Sequence, residues 1–123
     1  MPRKPAPQLT EAELRLMRVL WDKEKASVND IVAALDEDLA YNTVLTILTI
    51  LERKGFVGHE KVGRAFVFFP RVDRRNATRN ALRRMLQTFF NDSPENLVLH
   101  LLEEKEFSPK HLKRLKKLIQ ESE

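Results

Sequence analysis

One stretch of this chain leaves few choices of fold. Residues 39–54 read as an amphipathic helix, Gly55 ends it, and two short β-prone runs then face each other across a second glycine. In the helix, Val44, Ile47, Leu48 and Leu51 recur at i, i+3, i+4 and i+7, which sets one apolar stripe against a core. Arg53 and Lys54 stand where the helix dipole is negative, and a glycine just beyond them is the usual stop. Residues 56–61 and 64–69 are the predicted strands of a hairpin, with Val62 and Gly63 as its turn.

The polar side of that helix is unusual. It carries Asn42, Thr46, Thr49 and Arg53, with Thr43 at its edge, where a water-facing helix is ordinarily rich in Glu and Lys. Short hydrogen-bonding side chains suit a groove of duplex DNA: an Asn amide can pair with the adenine edge, and Thr offers a hydroxyl for base or phosphate and a methyl for thymine. Lys61 and Arg64 flank the hairpin tip, where a cation can reach phosphates or the minor groove beside a helix lying in the major groove. Each feature alone has a plain alternative, threonines tolerated on a solvated face and an ordinary hairpin tip. Together they point to DNA.

Two helices upstream complete the unit. Thr10 followed by Glu13 is a capping-box pattern, and residues 11–22 place Leu14, Met17, Val19, Leu20 and Trp21 around an apolar face. Ser27 is the next expected N-cap, before a short helix with Val28, Ile31, Val32 and Leu35. The acidic break at residues 36–38 separates it from the polar-faced helix, as a helix-turn-helix requires. The expected fold class is therefore mainly α with a small β-hairpin. Residues 1–8 form a flexible tail, residues 9–70 a winged helix-turn-helix, and residues 71–123 a helical dimerisation region.

In that last region Asp73 can cap a helix containing Ala77, Ala81, Leu82, Met85, Leu86, Phe89 and Phe90. Ser93 precedes a second, with Leu97, Val98, Leu101 and Leu102, and Ser108 a third, with Leu112, Leu115, Leu118 and Ile119. Short amphipathic helices of this kind bury too little of one another to stand alone, and a symmetric partner would supply the missing core. Leu86, Phe89, Leu97, Leu101, Leu112, Leu115 and Ile119 are the expected dimer contacts. The alternative is that these helices fold back on the winged helix within one chain.

The net charge of +4 suggests nucleic acid, yet residues 1–70 hold 10 Lys and Arg against 10 Asp and Glu, and the excess lies in residues 71–123, with 12 against 8. Arg71, Arg74 and Arg75 would lend affinity to the DNA backbone, whereas Lys110, Lys113, Arg114, Lys116 and Lys117 read as a solvated basic face. Pro2, Arg3, Lys4, Pro5 and Pro7 belong to the tail. With no cysteine there is neither a disulfide framework nor thiolate chemistry. No apolar run approaches a membrane span or a signal peptide, so the expected location is cytoplasmic, without membrane insertion. His59, His100 and His111 are scattered, with no i, i+4 pair, so no metal or other cofactor is expected. Ser27, Ser93 and Ser108 sit at expected helix caps, and Gly55, Gly58 and Gly63 all fall in or beside the hairpin, so neither a nucleophile elbow nor a phosphate-cradling loop is present. No catalytic residue is expected, and the chain does not read as an enzyme.

LTEAELRLMRVLW at residues 9–21, SVNDIVAAL at 27–35, LAYNTVLTILTILERKGFV at 39–57 and GRAFVFFP at 63–70 stand in an order and spacing that resembles the penicillinase-repressor family of bacterial transcriptional regulators, the BlaI/MecI type. The resemblance covers nearly the whole chain. It implies a homodimeric repressor on a palindromic double-stranded DNA operator, with Asn42, Thr43 and Thr46, and Leu45 beside them, in the base-reading positions. Copper-responsive repressors of similar architecture carry a Cys-rich C-terminal hook that this chain lacks. Family members controlled by a membrane sensor protease are cut at an Asn-Phe bond in the dimerisation region. Aligned on LVLHLLEEKEFS at residues 97–108, that bond falls at His100-Leu101, where both residues depart from the pattern. Two rival readings remain: a winged helix that binds protein, and a ligand-responsive repressor of another winged-helix family.

Overall fold

The computed structural model describes residues 8–122. Along them run α1 (Glu11–Lys23), β1 (Ala26–Ser27), α2 (Val28–Ala34), α3 (Tyr41–Lys54), β2 (Val57–Val62), β3 (Ala65–Pro70), α4 (Arg74–Phe89), α5 (Pro94–Glu103) and α6 (Pro109–Glu121). The proline-rich segment expected as a tail lies outside the described residues, except for Gln8. The chain divides into two compact units, one ending at Asn80 and the other beginning at Ala81, a division that falls inside α4.

Local chemistry sets the helix starts. Thr10 and Glu13 form a reciprocal capping box, the Thr10 N–H donating to Glu13 Oε1 at 2.8 Å and the Glu13 N–H to Thr10 Oγ1 at 3.2 Å. Ser27 and Asp30 do the same for α2 at 3.1 Å in both directions. Asp73 accepts from the Asn76 N–H at 2.7 Å, and Ser93 and Ser108 cap α5 and α6. At the other end of α3, Gly55 takes φ +89°, a backbone state that favours glycine, and the Phe56 N–H returns to the Leu51 carbonyl at 2.9 Å.

The core of the first unit joins Leu16, Met17 and Leu20 of α1 to Ile31 of α2, Val44, Leu48 and Leu51 of α3, and Val57 and Phe68 of the sheet. Leu16, fully buried, was not part of the apolar face expected for α1, whose Leu14 is only half-buried. The reason is angular: Leu16, Met17 and Leu20 lie at i, i+1 and i+4 and point to one side.

The sheet differs from the expected hairpin in two respects. It has three antiparallel strands in the order β1-β3-β2, with Ala26 opposite Phe68 and Ser27 opposite Val67. A two-residue strand carries no periodic signal, and its partner lies some forty residues further along. The turn is also displaced by one residue: Val62 pairs with Ala65, which leaves Gly63 and Arg64 as the two-residue loop. Gly63 has φ +63°, and a positive-φ glycine in the first loop position matches the twist of the flanking strands. Arg64 is therefore a turn residue and does not begin a strand.

The second unit has a different character. Among its described residues none is buried; Leu86, Leu97, Leu101 and Phe107 are half-covered, while Phe89 is 76% exposed and Ile119 62%. Among the described residues, no helix is long and apolar enough to cross a membrane.

Candidate nucleic-acid interface

α3 presents its outer face because its inner face is fixed so completely. Val44, Leu48 and Leu51 have no exposed surface, whereas Asn42, Thr43, Thr46, Thr49 and Arg53 are all exposed. Leu45, half-buried, packs against the core at the edge of this face, which makes it a support for its neighbours as much as a surface residue.

A buried ion pair holds the far end of the helix. Lys54 Nζ lies 2.8 and 2.9 Å from the two oxygens of Glu13 and 2.9 Å from the Gln8 carbonyl. Burial pushes the Glu13 carboxyl up, but the Lys54 ammonium and the Thr10 N–H outweigh it and hold the group below its ordinary value. The carboxylate that closes the α1 capping box thus also anchors the last residue of α3. The sequence patterns had assigned Glu13 only the first task.

The N-terminus of α3 is the reverse of a closed end. Ala40 supplies no side-chain cap, and the first intrahelical bond is from the Val44 N–H to the Ala40 carbonyl at 3.1 Å. Tyr41, the first residue of the helix, is 47% exposed beside Asn42. It was not among the expected site residues, because an aromatic next to the apolar stripe looks like core in one dimension. The Asn42 amide makes no hydrogen bond within the described residues. Thr46 and Thr49 turn their hydroxyls onto their own helix, donating to the carbonyls of Asn42 and Leu45 at 2.9 Å each.

Besides the pairing of β1 with β3, two side-chain contacts tie the wing to the body. His59 Nδ1 meets Glu52 of α3, and the His59 ring packs against Phe66 and Phe68 with centroids 5.5 Å away. Lys25 Nζ reaches Glu60 at 2.9 Å. At the tip, Lys61 and Arg64 are exposed and, like Arg53, form no ion pair within the described residues. Glu13, Asp22, Glu37 and Glu60 each face a cation instead. A unit of nearly balanced composition therefore shows unpaired positive charge at the wing tip and the end of the reading helix.

The arginines at 71–75 follow the end of the hairpin opposite its turn. Pro70 pairs with Val57 at the end of the hairpin opposite the turn, about 17 Å from the tip along the strands. Arg74 is engaged there, 3.0 Å from Asp22 and 5.5 Å above the Trp21 ring, whose N–H donates to the Val72 carbonyl at 2.9 Å. These contacts fix the start of α4 on α1. The remaining expected residues lie in α4–α6: Leu86, Leu97 and Leu101 half-buried, and Phe89, Leu112, Leu115 and Ile119 exposed. The His100-Leu101 bond is inside α5, with the His100 ring 5.8 Å from that of Phe90.

Comparison with known proteins agrees with this geometry. The chain is 29% identical to the penicillinase repressor of Bacillus licheniformis over 96% of its length and 94% of the relative's. It is 23% identical to the methicillin resistance regulatory protein MecI of Staphylococcus aureus over 91% and 93% of the two chains. Among solved structures, the DNA-binding domain of the repressor BlaI superposes with a TM-score of 0.52 at 33% identity, covering 60% of this chain and 93% of that one. The Bacillus licheniformis BlaI monomeric form in complex with the blaP half-operator gives 0.51 at the same identity and coverage. The penicillinase repressor family model matches residues 9–121, nearly the whole chain, and the chain belongs to that family.

Proposed function

We propose that this protein is a DNA-binding transcriptional repressor that acts in the cytoplasm as a homodimer on a palindromic operator, and that it has no catalytic role. The observation that carries the reading is the face of α3: an unengaged Asn42 amide, Thr43, Thr46 and Arg53 exposed on one side, with Lys61 and Arg64 at the tip of the adjoining wing. In a half-site, α3 lies in the major groove, the uncapped first turn accepts a backbone phosphate and the wing braces the flank. Repression follows by occlusion, when two such heads cover a promoter.

The second unit supports the dimer. A unit with no buried residue among those described from Ala81 on, and with Phe89, Leu112, Leu115, Leu118 and Ile119 exposed, lacks the core an independent unit needs. A second copy supplies the same faces by symmetry. Selection of duplexes from a random pool by the purified protein tests the whole reading. A two-fold symmetric site is expected, and Asn42→Ala or Thr46→Ala should each weaken it by about 1–3 kcal/mol while leaving non-specific binding nearly unchanged. Equal loss on specific and random DNA would reject base reading. No enriched sequence at all would favour a winged helix that docks on protein.

Inactivation by a membrane sensor protease would act at His100-Leu101. Cleavage there would divide α5 and separate the two reading heads, lowering operator affinity. The bond is helical, so local unwinding must precede attack. A chain left intact by the sensor protease of a relative's system would assign regulation to another route.

A further inference from the structure

The threonines of α3 have a chemistry of their own, set by where their hydroxyl protons go. We infer that Thr46 and Thr49 read thymine through methyl contact, so that the middle of α3 faces A·T pairs whose thymine methyls point at the helix. The inference rests on the DNA-binding reading above and adds to it the class of base edge recognised.

The argument begins with the hydroxyl protons. Thr46 Oγ1 donates to the Asn42 carbonyl and Thr49 Oγ1 to the Leu45 carbonyl, both at 2.9 Å. Each hydroxyl is thereby turned inward, and the exposed remainder of the side chain is the γ-methyl together with an oxygen lone pair. Such a surface can touch a methyl or accept one hydrogen bond, but it has no proton to give. Guanine shows two acceptors in the major groove, N7 and O6, and next to these threonines both would lose water without gaining a donor. Each kind of pair also offers one amino group, on adenine N6 or cytosine N4, that the free lone pair can accept from, so what singles out an A·T pair is the thymine methyl, which no G·C pair carries and which the γ-methyls can touch. The Asn42 amide, without a hydrogen-bond partner among the described residues, can donate and accept at once in the flat two-point geometry that the N6 and N7 positions of adenine require.

Spacing allows the three residues to act together. Asn42, Thr46, Thr49 and Arg53 fall within about 60° of the helix circumference, and Thr46 and Thr49 are about 4.5 Å apart along the axis. The rise between base pairs is about 3.4 Å, so the two methyls meet neighbouring steps. Arg53, beyond them, is left for the phosphates.

The test uses the full chain and the duplex it selects from a random pool. Each thymine is replaced in turn by deoxyuridine, which removes the C5 methyl and keeps the base pair, and affinity is read by fluorescence anisotropy. At one or two adjacent positions of each half-site, uracil should weaken binding about four-fold, the worth of one buried methyl. That penalty should disappear at one position with Thr46→Ser and at the other with Thr49→Ser, which keep the hydroxyl, and persist with the corresponding Val variants, which keep a methyl. Uracil tolerated at every position, while Asn42→Ala still weakens the selected site, would overturn the inference and leave the DNA-binding reading standing. So would a penalty that survives in the Ser variants and vanishes in the Val variants, since the hydroxyls would then be the readers. A pool without any enriched sequence would remove both readings.

Discussion

The Glu13–Lys54 pair makes an asymmetric prediction. The Glu13 side chain is 5% exposed and that of Lys54 29%, so the consequence of breaking the pair depends on which partner is left behind. Lys54→Met strands a carboxylate whose remaining close donors, among the described residues, belong to Thr10. Truncating one side of a buried pair costs about 3–5 kcal/mol, and partial access of water past the missing lysine puts this case near the lower end, about 3 kcal/mol. Glu13→Gln leaves an ammonium that still bonds the Gln8 carbonyl and reaches solvent, and the amide oxygen can keep the Thr10 N–H. Losing one charge-assisted interaction there should cost about 1–2 kcal/mol. The pH dependence has a definite sign. The folded pKa of Glu13 is lowered, so its stabilisation is complete above the ordinary carboxylate value and is lost as pH falls through the folded value. In Lys54→Met the remaining penalty is that of a buried charge, which protonation removes. The gap between wild type and Lys54→Met should therefore narrow on acidification from about pH 7 to about pH 4. Urea unfolding followed by circular dichroism at the two pH values measures it. Equal costs for the two variants, or a gap that does not change with pH, would refute the account of α3 anchoring.

Three further outcomes are expected. Leu48→Ala, at a fully buried position between α3 and the rest of the core, should destabilise the first unit by about 2–5 kcal/mol in the same unfolding assay, and a loss below about 1 kcal/mol would mean the core is not packed as described. Replacing Lys61 and Arg64 together by Gln should weaken specific and random DNA alike and reduce the slope of log affinity against log salt by about 2, whereas an unaltered slope would take the wing off the phosphates. Leu115→Glu puts a charge on the apolar face of α6, and sedimentation should show the population moving toward monomer; an undisturbed dimer would place that helix outside the interface.

Periodicity and capping chemistry, both local, account for what could be read along the chain. The stripe of Val44, Leu48 and Leu51, the stop at Gly55 and the caps at Thr10, Ser27, Asp73, Ser93 and Ser108 depend on residues within a turn or two of each other, and the structure contains each of them. The polar face of α3 was legible for the same reason, since a helix fixes which residues share a side once its inner stripe is known. What escaped the sequence depends on contacts made across the chain. The β1 strand exists because β3 offers it an edge, the turn settles on Gly63 and Arg64 because cross-strand pairing sets the register, and Glu13 anchors α3 because folding brings Lys54 to it from 41 residues away. Sequence by itself determined the helices and which residues share the polar face of α3, because those follow from spacing along one element. Only the tertiary structure decided which charges remain unpaired, because charge pairing is settled by neighbours in space, whereas the outward atoms of Thr46 and Thr49 follow from bonds to carbonyls four residues back in the same helix.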